Sequence, residues 1–171
     1  RSVTTNPNIL SGKVYLFAAQ DIGTSANPIT TQITNVEGKS TSGSTYIRNT
    51  GHLTVGGVVS GSDPGLLSGA LSPVTISEAI ESATDIVVTA TEKAEAGDDI
   101  TITSAGSLKS TGGKVILNAG DNILLQSGSL IEAVDGIEIR SAVNDLDTNG
   151  SSISMQGTLT SPLIEVHGSE Y

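Results

Sequence analysis

Residues 96–140 contain nearly the same pattern twice. The first copy is AGDDITITSAGSLKSTGGKVILN and the second is AGDNILLQSGSLIEAVDGIEIR, so the motif returns after 22 or 23 residues. In each copy, apolar residues stand two positions apart and are bounded by Gly, Ser, Asn or Asp, which is typical of half-buried strands separated by turns. A unit this short cannot bury its own apolar face, so it must stack on its neighbours.

Alignment of the two copies predicts which apolar side chains lie above one another. Ile100 and Ile102 are placed over Ile123 and Leu125, Leu108 over Leu130, and Val115 and Leu117 over Ile137 and Ile139. Because successive strand residues face opposite sides, the same alignment predicts two faces. The inward residues include Leu117, Leu125 and Ile139, and the outward ones include Ile116, Leu124 and Glu138.

A third copy, ISMQGTLTSPLIEV, follows if the polar run 141–152 is a loop insertion. It places Ile153 and Met155 over Ile123 and Leu125, Leu159 over Leu130, and Ile164 and Val166 over Ile137 and Ile139. Further doublets occur at Val14/Leu16, Leu53/Val55 and Ile86/Val88. The pattern therefore predicts an all-β fold, a parallel β-helix of roughly seven coils with ~22–23 residues each, as one solenoid segment over residues 1–171.

Two alternatives remain open at this point. A sandwich of short antiparallel strands also fits the doublets, although hairpins do not require the same residue types to return every 22 residues. Within 75–83, the spacing of Ile76, Ala79, Ile80 and Ala83 is helical, and Thr75 with Glu78 could form a capping box. We favour a strand and loop there, because a long helix would interrupt the coil.

Composition limits the core and the partners. Only 2% of the residues are aromatic while 36% are hydrophobic, so the core must consist of Ile, Val, Leu and Ala. Eighteen acidic against eight basic residues give a net charge of −10, which disfavours nucleic acid and anionic membrane surfaces. No apolar run approaches the ~18 residues of a membrane span, so no membrane insertion is expected.

The first part of the chain resembles the repeats of large bacterial exoproteins of the filamentous haemagglutinin type. The resemblance rests on GKVYLFAAQDIGTSANPITTQI and STYIRNTGHLTVGGV, within Val14 to Ile29 and Tyr46 to Val58, and on NPNI at Asn6 to Ile9. It implies a right-handed parallel β-helix, secretion through an outer-membrane partner, and an adhesive fibre outside the cell or on the bacterial surface.

Asp98 and Asp121 are the candidate metal ligands. They occupy equivalent places in the two copies, so their carboxylates are expected about 5 Å apart, close enough for one calcium ion to bridge them. The simpler interpretation is that each aspartate caps a turn. We favour that interpretation, since the third copy offers no carboxylate at the same place, and we predict no bound metal or cofactor.

Catalytic residues are not evident. His52 and His167 are the only histidines, and no serine stands in the strand–turn–helix setting of a nucleophile elbow. The sequence therefore favours a protein that is not an enzyme.

The predicted function is that of a segment of a secreted adhesive or structural fibre, a fragment of a longer repetitive chain. A glycan or protein receptor on a host cell or surface would contact the inserted loop, with candidate residues Asn144, Asp145, Asp147 and Asn149. Two alternatives are a filament subunit that assembles end to end with its own copies, and a β-helix that binds or degrades polysaccharide.

Overall fold

The computed structural model describes residues 6–58, 79–94, 96–144, 146 and 151–168, and it contains seventeen strands and no helix in those ranges. The strands are β1 (Ile9–Leu10), β2 (Lys13–Ala18), β3 (Ile29–Gln32), β4 (Asn35–Ser40), β5 (Thr45–Thr50), β6 (Leu53–Val55), β7 (Ala79–Ser82), β8 (Ile86–Thr91), β9 (Ile100–Ile102), β10 (Ser107–Ser110), β11 (Lys114–Ala119), β12 (Ile123–Leu125), β13 (Leu130–Ala133), β14 (Gly136–Arg140), β15 (Ile153–Met155), β16 (Thr158–Thr160) and β17 (Ile164–His167).

Every pairing between these strands is parallel. The predicted all-β fold of parallel strands is thus confirmed, and the antiparallel sandwich is wrong. Short hairpins cannot join parallel neighbours, so each strand pairs with one reached only after the chain has crossed to other strands.

The strands form two sheets. The seven-stranded sheet has the order β1-β3-β5-β8-β11-β14-β17. The ten-stranded sheet has the order β15-β12-β9-β6-β4-β7-β10-β13-β16, with β2 paired to β4. Strand β4 pairs with β6 through its first residues and with β7 through its last, so this sheet has two arms. The first arm is β6, β9, β12 and β15, and the second arm is β7, β10, β13 and β16.

From β5 onward the chain visits the seven-stranded sheet, the first arm and the second arm in turn, and then returns. Paired residues are 23 positions apart between β9 and β12 but 30 apart between β12 and β15, because the run 141–152 lies between them. Insertions therefore lengthen the connection and leave the pairing unchanged.

The register agrees with the repeat alignment at the first arm and the seven-stranded sheet. Ile100 and Ile102 pair with Ile123 and Leu125, which pair with Ile153 and Met155; Val115 and Leu117 pair with Ile137 and Ile139, which pair with Ile164 and Val166.

The alignment was wrong by one residue at the second arm. Leu108 and Leu159 both pair with Ile131, and not with Leu130 as predicted. The reason lies in the alternation of faces: had Leu130 pointed inward, Glu132 would have followed it into the core as a buried charge. In the observed register Glu132 points outward and forms an ion pair with Lys109, with Nζ and Oε2 3.2 Å apart.

The core lies between the sheets and is aliphatic. Leu117, Leu125 and Ile139 are fully buried, as predicted from the repeat. Their outward neighbours Ile116, Leu124 and Glu138 are only partly buried. The strands that carry these residues, β11, β12 and β14, therefore each bury one face, which the period of two in the sequence required.

The structure describes part of the segment 75–83 and part of the inserted loop 141–152. Within 75–83, Ala79–Ser82 forms β7 and Ala83 follows it in a bend, while 75–78 lie outside the described residues. In the inserted loop, Ala142 and Asn144 adopt left-handed backbone conformations, with φ of 56° and 61°. The strands account for all regular structure described, and no helix there is long and apolar enough to cross a membrane.

Candidate functional site

The candidate metal ligands lie where the chain turns from the seven-stranded sheet into the first arm. Both Asp98 and Asp121 are buried. Asp121 Oδ2 accepts hydrogen bonds from the backbone N–H of Gly97 at 2.6 Å and of Asp98 at 3.0 Å. Asp98 Oδ2 accepts one from the N–H of Lys93 at 2.6 Å. These contacts support the turn-capping interpretation, and the absence of a metal stays a prediction.

A second polar column runs beside these aspartates. Asp99 Oδ1 accepts hydrogen bonds from the backbone N–H of Asn122 at 3.0 Å and from its Nδ2 at 2.8 Å. Asn122 Oδ1 in turn accepts from the N–H and the hydroxyl of Ser152, both at 2.9 Å. Carboxylate, amide and hydroxyl thus follow one another along three repeats, and Asp99 and Asn122 each accept hydrogen bonds from the turn of the next repeat.

The pKa of Asp98 is raised from its ordinary value of 3.8, chiefly because burial penalises the charged carboxylate; the nearby Asp121 carboxylate adds to the effect, and the Lys93 N–H opposes it. A carboxyl with a raised pKa in the folded state stabilises the fold fully below its unfolded pKa and loses that contribution as the pH rises through its folded pKa.

We therefore expect Asp98→Asn to remove one pH-dependent step in stability. Wild-type protein should gain stability from Asp98 as the pH is lowered from about 7 towards 4, and the variant should lack that gain because its amide does not titrate. Urea unfolding at several pH values measures the difference. Asp135→Asn, at an exposed turn position, is the control. Identical pH profiles for Asp98→Asn and wild type would contradict the prediction.

Glu138, Glu165 and His167 form the one group of three possible metal ligands among the described residues, with ligand atoms within 4.8 Å of one another. The sequence had predicted their stacking: Glu165 pairs with Glu138, and His167 with Arg140. Arg140 Nη2 forms an ion pair with Glu138 Oε1, and His167 Nε2 lies 3.8 Å from the same oxygen. A guanidinium thus already neutralises Glu138, so the cluster is a surface ion-pair network.

A loop on the outer face of the seven-stranded sheet was not predicted as a site. Ile22 bridges to Thr45, and Ile29 pairs with Ile47, so the six residues 23–28 stand opposite Tyr46 alone. Such an insertion projects from the sheet as an extended bulge. This projecting loop, residues 23–28, is called the outer loop below.

The outer loop is held in place by backbone contacts. Gly23 has a φ of +69°, and a Cβ there would lie 2.7 Å from the Tyr46 carbonyl oxygen, so the close approach requires glycine. Thr24 and Asn27 exchange two backbone hydrogen bonds, at 3.0 and 3.1 Å. The loop therefore forms a fixed wall beside the sheet.

Between the outer loop and the sheet lies a small pocket with a volume of about 60 Å³. It is lined by Ser25, Pro28, Tyr46, Ile47, Arg48, Val87 and Thr89. Tyr46 and Val87 pair across β5 and β8 and are partly buried, so they form an apolar floor. Burial also raises the pKa of the Tyr46 hydroxyl, and the Asp85 carboxylate, 3.4 Å from it, adds to this effect.

Arg48 is the charged group of this pocket. Its neighbours on the adjacent strands are Thr30 and Thr89, neither of which carries a charge. Three other basic side chains form ion pairs: Lys39 with Glu81, Lys109 with Glu132, and Arg140 with Glu138, whereas Lys13 donates to the Gly57 carbonyl oxygen. Within the described residues, no ion pair or hydrogen bond engages the Arg48 guanidinium.

The last strands form a second unusual surface, the C-terminal end face, which consists of β15, β16 and β17. Each has a neighbour on one side only. Val166 is 42% exposed although its partner Ile139 is fully buried, and Met155 is 46% exposed although its partner Leu125 is fully buried. Apolar side chains at core positions are thus open to solvent at this end.

Of the predicted recognition residues, Asn144 is described and exposed. Asp145, Asp147 and Asn149 lie outside the described residues.

Comparisons with protein-family models, with curated proteins and with solved structures found no match.

Proposed function

We propose that this chain is a segment of an extracellular fibre, a right-handed parallel β-helix of about seven coils that extends by stacking and serves in attachment to cells or surfaces. The observation that carries the proposal is the in-register parallel stacking of successive repeats, in which each repeat adds one strand to the same ladders. Support also comes from the seven parallel strands of one sheet, one for each proposed coil, and from the resemblance to filamentous haemagglutinin-type repeats.

The C-terminal end face is suited to stacking because it exposes both unpaired backbone groups and apolar side chains. Strand edges expose unpaired N–H and C=O groups, which readily pair with another strand. The core-position side chains Ile164, Val166 and Met155 add apolar area that is 41% to 46% exposed. A further coil would cover both, and it can belong to the same polypeptide or to a second copy.

The role is structural and not catalytic in this proposal. Each coil adds about 4.8 Å to the length of a β-helix, and every added strand extends the same hydrogen-bonded ladders. The result is a stiff rod that can hold a binding loop far from its anchor. His52 Nε2 lies 3.0 Å from the Thr54 hydroxyl, and its Nδ1 lies 3.7 Å from Asp99 Oδ2. His52 is exposed on the surface, and in this proposal the cluster is a structural contact between turns.

Lysine at the end face is expected to weaken self-association. In an Ile164→Lys, Val166→Lys double variant, two charges at neighbouring core positions of the edge strand β17 would have to be buried when a second copy docks, which is costly. We expect wild-type protein to self-associate at rising concentration and the double variant to require about tenfold more protein or greater. Sedimentation velocity measures this, and adhesion of each protein to cultured cells is compared in parallel.

Val134→Lys is the matched control. Val134 is 54% exposed but lies in the turn between β13 and β14, one coil before the strands of the end face. It should associate and adhere like wild type. If wild-type protein stays monomeric at the highest concentrations and adheres to no cell, the fibre proposal is wrong.

A further inference from the structure

We propose that the pocket beside the outer loop binds the carboxylate of an acidic sugar, with Arg48 as its anion-binding group. The inference goes beyond the fibre proposal and does not depend on it, since a chain that never self-associates would still carry the pocket. It is argued from the charge of Arg48, the size of the pocket and the chemistry of its walls.

The charge of Arg48 favours an anionic ligand. The chain has a net charge of −10; Lys39 and Lys109 each face a glutamate on the next strand, and Arg140 pairs with Glu138 on its own strand. Arg48 stands instead between two threonines. A guanidinium presents a planar fork of N–H donors that matches a carboxylate, and no partner among the described residues engages these donors.

Repulsion from neighbouring acids does not cancel this attraction. The nearest described carboxylate along the neighbouring strand is Asp85, which lies beside the Tyr46 hydroxyl. Asp85 precedes Thr89, the residue level with Arg48, by four positions, or about 13 Å along the strand. A carboxylate held at Arg48 would therefore lie beside the cation, whereas the Asp85 and Asp21 carboxylates act on the Tyr46 hydroxyl of the same pocket.

The size of the pocket limits the chemical group that can enter it. The pocket volume of about 60 Å³ is several times the roughly 10–15 Å³ that one water molecule needs by the same measure. It admits a functional group of about four heavy atoms, such as a carboxylate and the carbon that carries it. It does not enclose a sugar ring, so the ring must lie across the mouth.

The walls favour a sugar at that mouth over a peptide. Partly buried Tyr46, Val87 and Pro28 form an apolar surface against which the C–H face of a pyranose can lie. Ser25 and Thr89 add hydroxyl groups at its edge. The apolar floor matches the C–H face of a sugar ring, the hydroxyl groups at the edge match its hydroxyls, and the cation matches a single carboxylate.

Pyranose acids of two kinds present this chemistry: hexuronates such as glucuronate, and nonulosonates such as N-acetylneuraminate. Because only one functional group enters the pocket, we expect a dissociation constant in the millimolar range for a single sugar, about 1 mM. An array of such segments in a fibre would bind a polymeric glycan more tightly through multivalency.

The test titrates the full chain with sodium glucuronate, sodium N-acetylneuraminate, glucose and sodium acetate, followed by amide chemical shifts in NMR spectra. We expect at least one acidic sugar to shift the signals of Tyr46, Arg48 and Thr89, and the stronger of the two sugars identifies the source. Glucose and acetate should bind at least about tenfold more weakly, since each lacks half of the recognised chemistry.

Arg48→Gln should weaken binding of the preferred sugar about tenfold or more, because it removes the charged donor and keeps an exposed polar side chain. Thr89→Val tests the rim without changing the shape of the floor. Arg140→Gln is the control: Arg140 lies on the same face but is paired with Glu138, so its loss should leave binding unchanged.

Three results would overturn the proposal. They are equal binding by Arg48→Gln and wild type, equal binding of glucose and the acidic sugars, and an absence of shifts with either acidic sugar at tens of millimolar. If acetate binds as well as the sugars do, only a carboxylate is recognised, and the assignment to a sugar is wrong. Thermal melting of each variant, compared with wild type, shows whether lost binding reflects lost folding.

Discussion

Leu125→Asp is expected to destabilise the protein by at least about 4 kcal/mol, or to prevent folding altogether. Leu125 is fully buried and stacks between Ile102 and Met155 in the first arm. The substitution removes a large aliphatic side chain and places a carboxylate among aliphatic neighbours, where the protein offers it no cation. Since native domains are stable by only about 5–15 kcal/mol, such a loss is a large part of the total.

Leu124→Asp is the matched comparison, one residue away on the same strand. Leu124 is partly exposed, and its neighbours on the adjacent strands are Thr101 and Ser154. We expect a cost of about 1 kcal/mol, from the poor strand propensity of aspartate and the lost apolar contact. Urea unfolding followed by circular dichroism measures both variants. Equal destabilisation by the two would show that the assigned faces of this strand are wrong.

The sequence predicted the strand register where apolar residues alternate with polar ones, with a period of two. Ile100, Ile102, Leu117 and Ile139 each took the predicted neighbour, because a slip of one residue would turn a whole apolar set outward. The error at Leu130 arose where the motif GSL occurs in both copies but the second copy has one residue fewer in the following turn. The alignment matched the shared motif GSL. The register is instead decided by the alternation of inward and outward side chains.

The candidate pocket could not be predicted in the same way. It depends on residues 23–28 leaving the sheet between Ile22 and Ile29, and both of these apolar residues keep their places on the strand. From sequence alone, an insertion of this length is indistinguishable from an ordinary turn between strands. The signal that could have indicated it is Gly23, directly after an apolar residue and before a polar run that ends at Pro28.

The same limit applies to buried polar groups, of which Asn49 is an example. Its position two residues after Ile47 predicts an inward side chain, as the structure shows, but an asparagine in an aliphatic core needs partners that the repeat does not reveal. Its Oδ1 accepts from the Thr31 hydroxyl at 2.8 Å and from the Ile33 N–H at 3.0 Å. These partners are 18 and 16 residues away in the sequence.

Asn49 also donates from Nδ2 to backbone carbonyls of two turns. The oxygens of Ile33 and Gly51 lie 3.2 and 3.0 Å away, and that of His52 lies 3.2 Å away. One amide therefore holds the turn after β3 and the turn after β5 together. Ile33 is buried and Gly51 is partly buried, so little water can reach these backbone groups to replace the amide if it is lost.

Asn49→Ala is accordingly expected to cost about 3 kcal/mol, since it leaves several buried backbone groups without their partners and opens a cavity. Asn118→Ala is the control, because Asn118 is partly exposed and its Nδ2 makes a single long contact, 3.4 Å to the Thr89 hydroxyl. We expect that variant to lose no more than about 0.5 kcal/mol. Urea unfolding gives both values, and hydrogen exchange at the amide of Ile33 should accelerate in Asn49→Ala alone. A cost below about 1 kcal/mol for Asn49→Ala would mean that water replaces the lost amide, and that the two turns are held by the strands on either side of them.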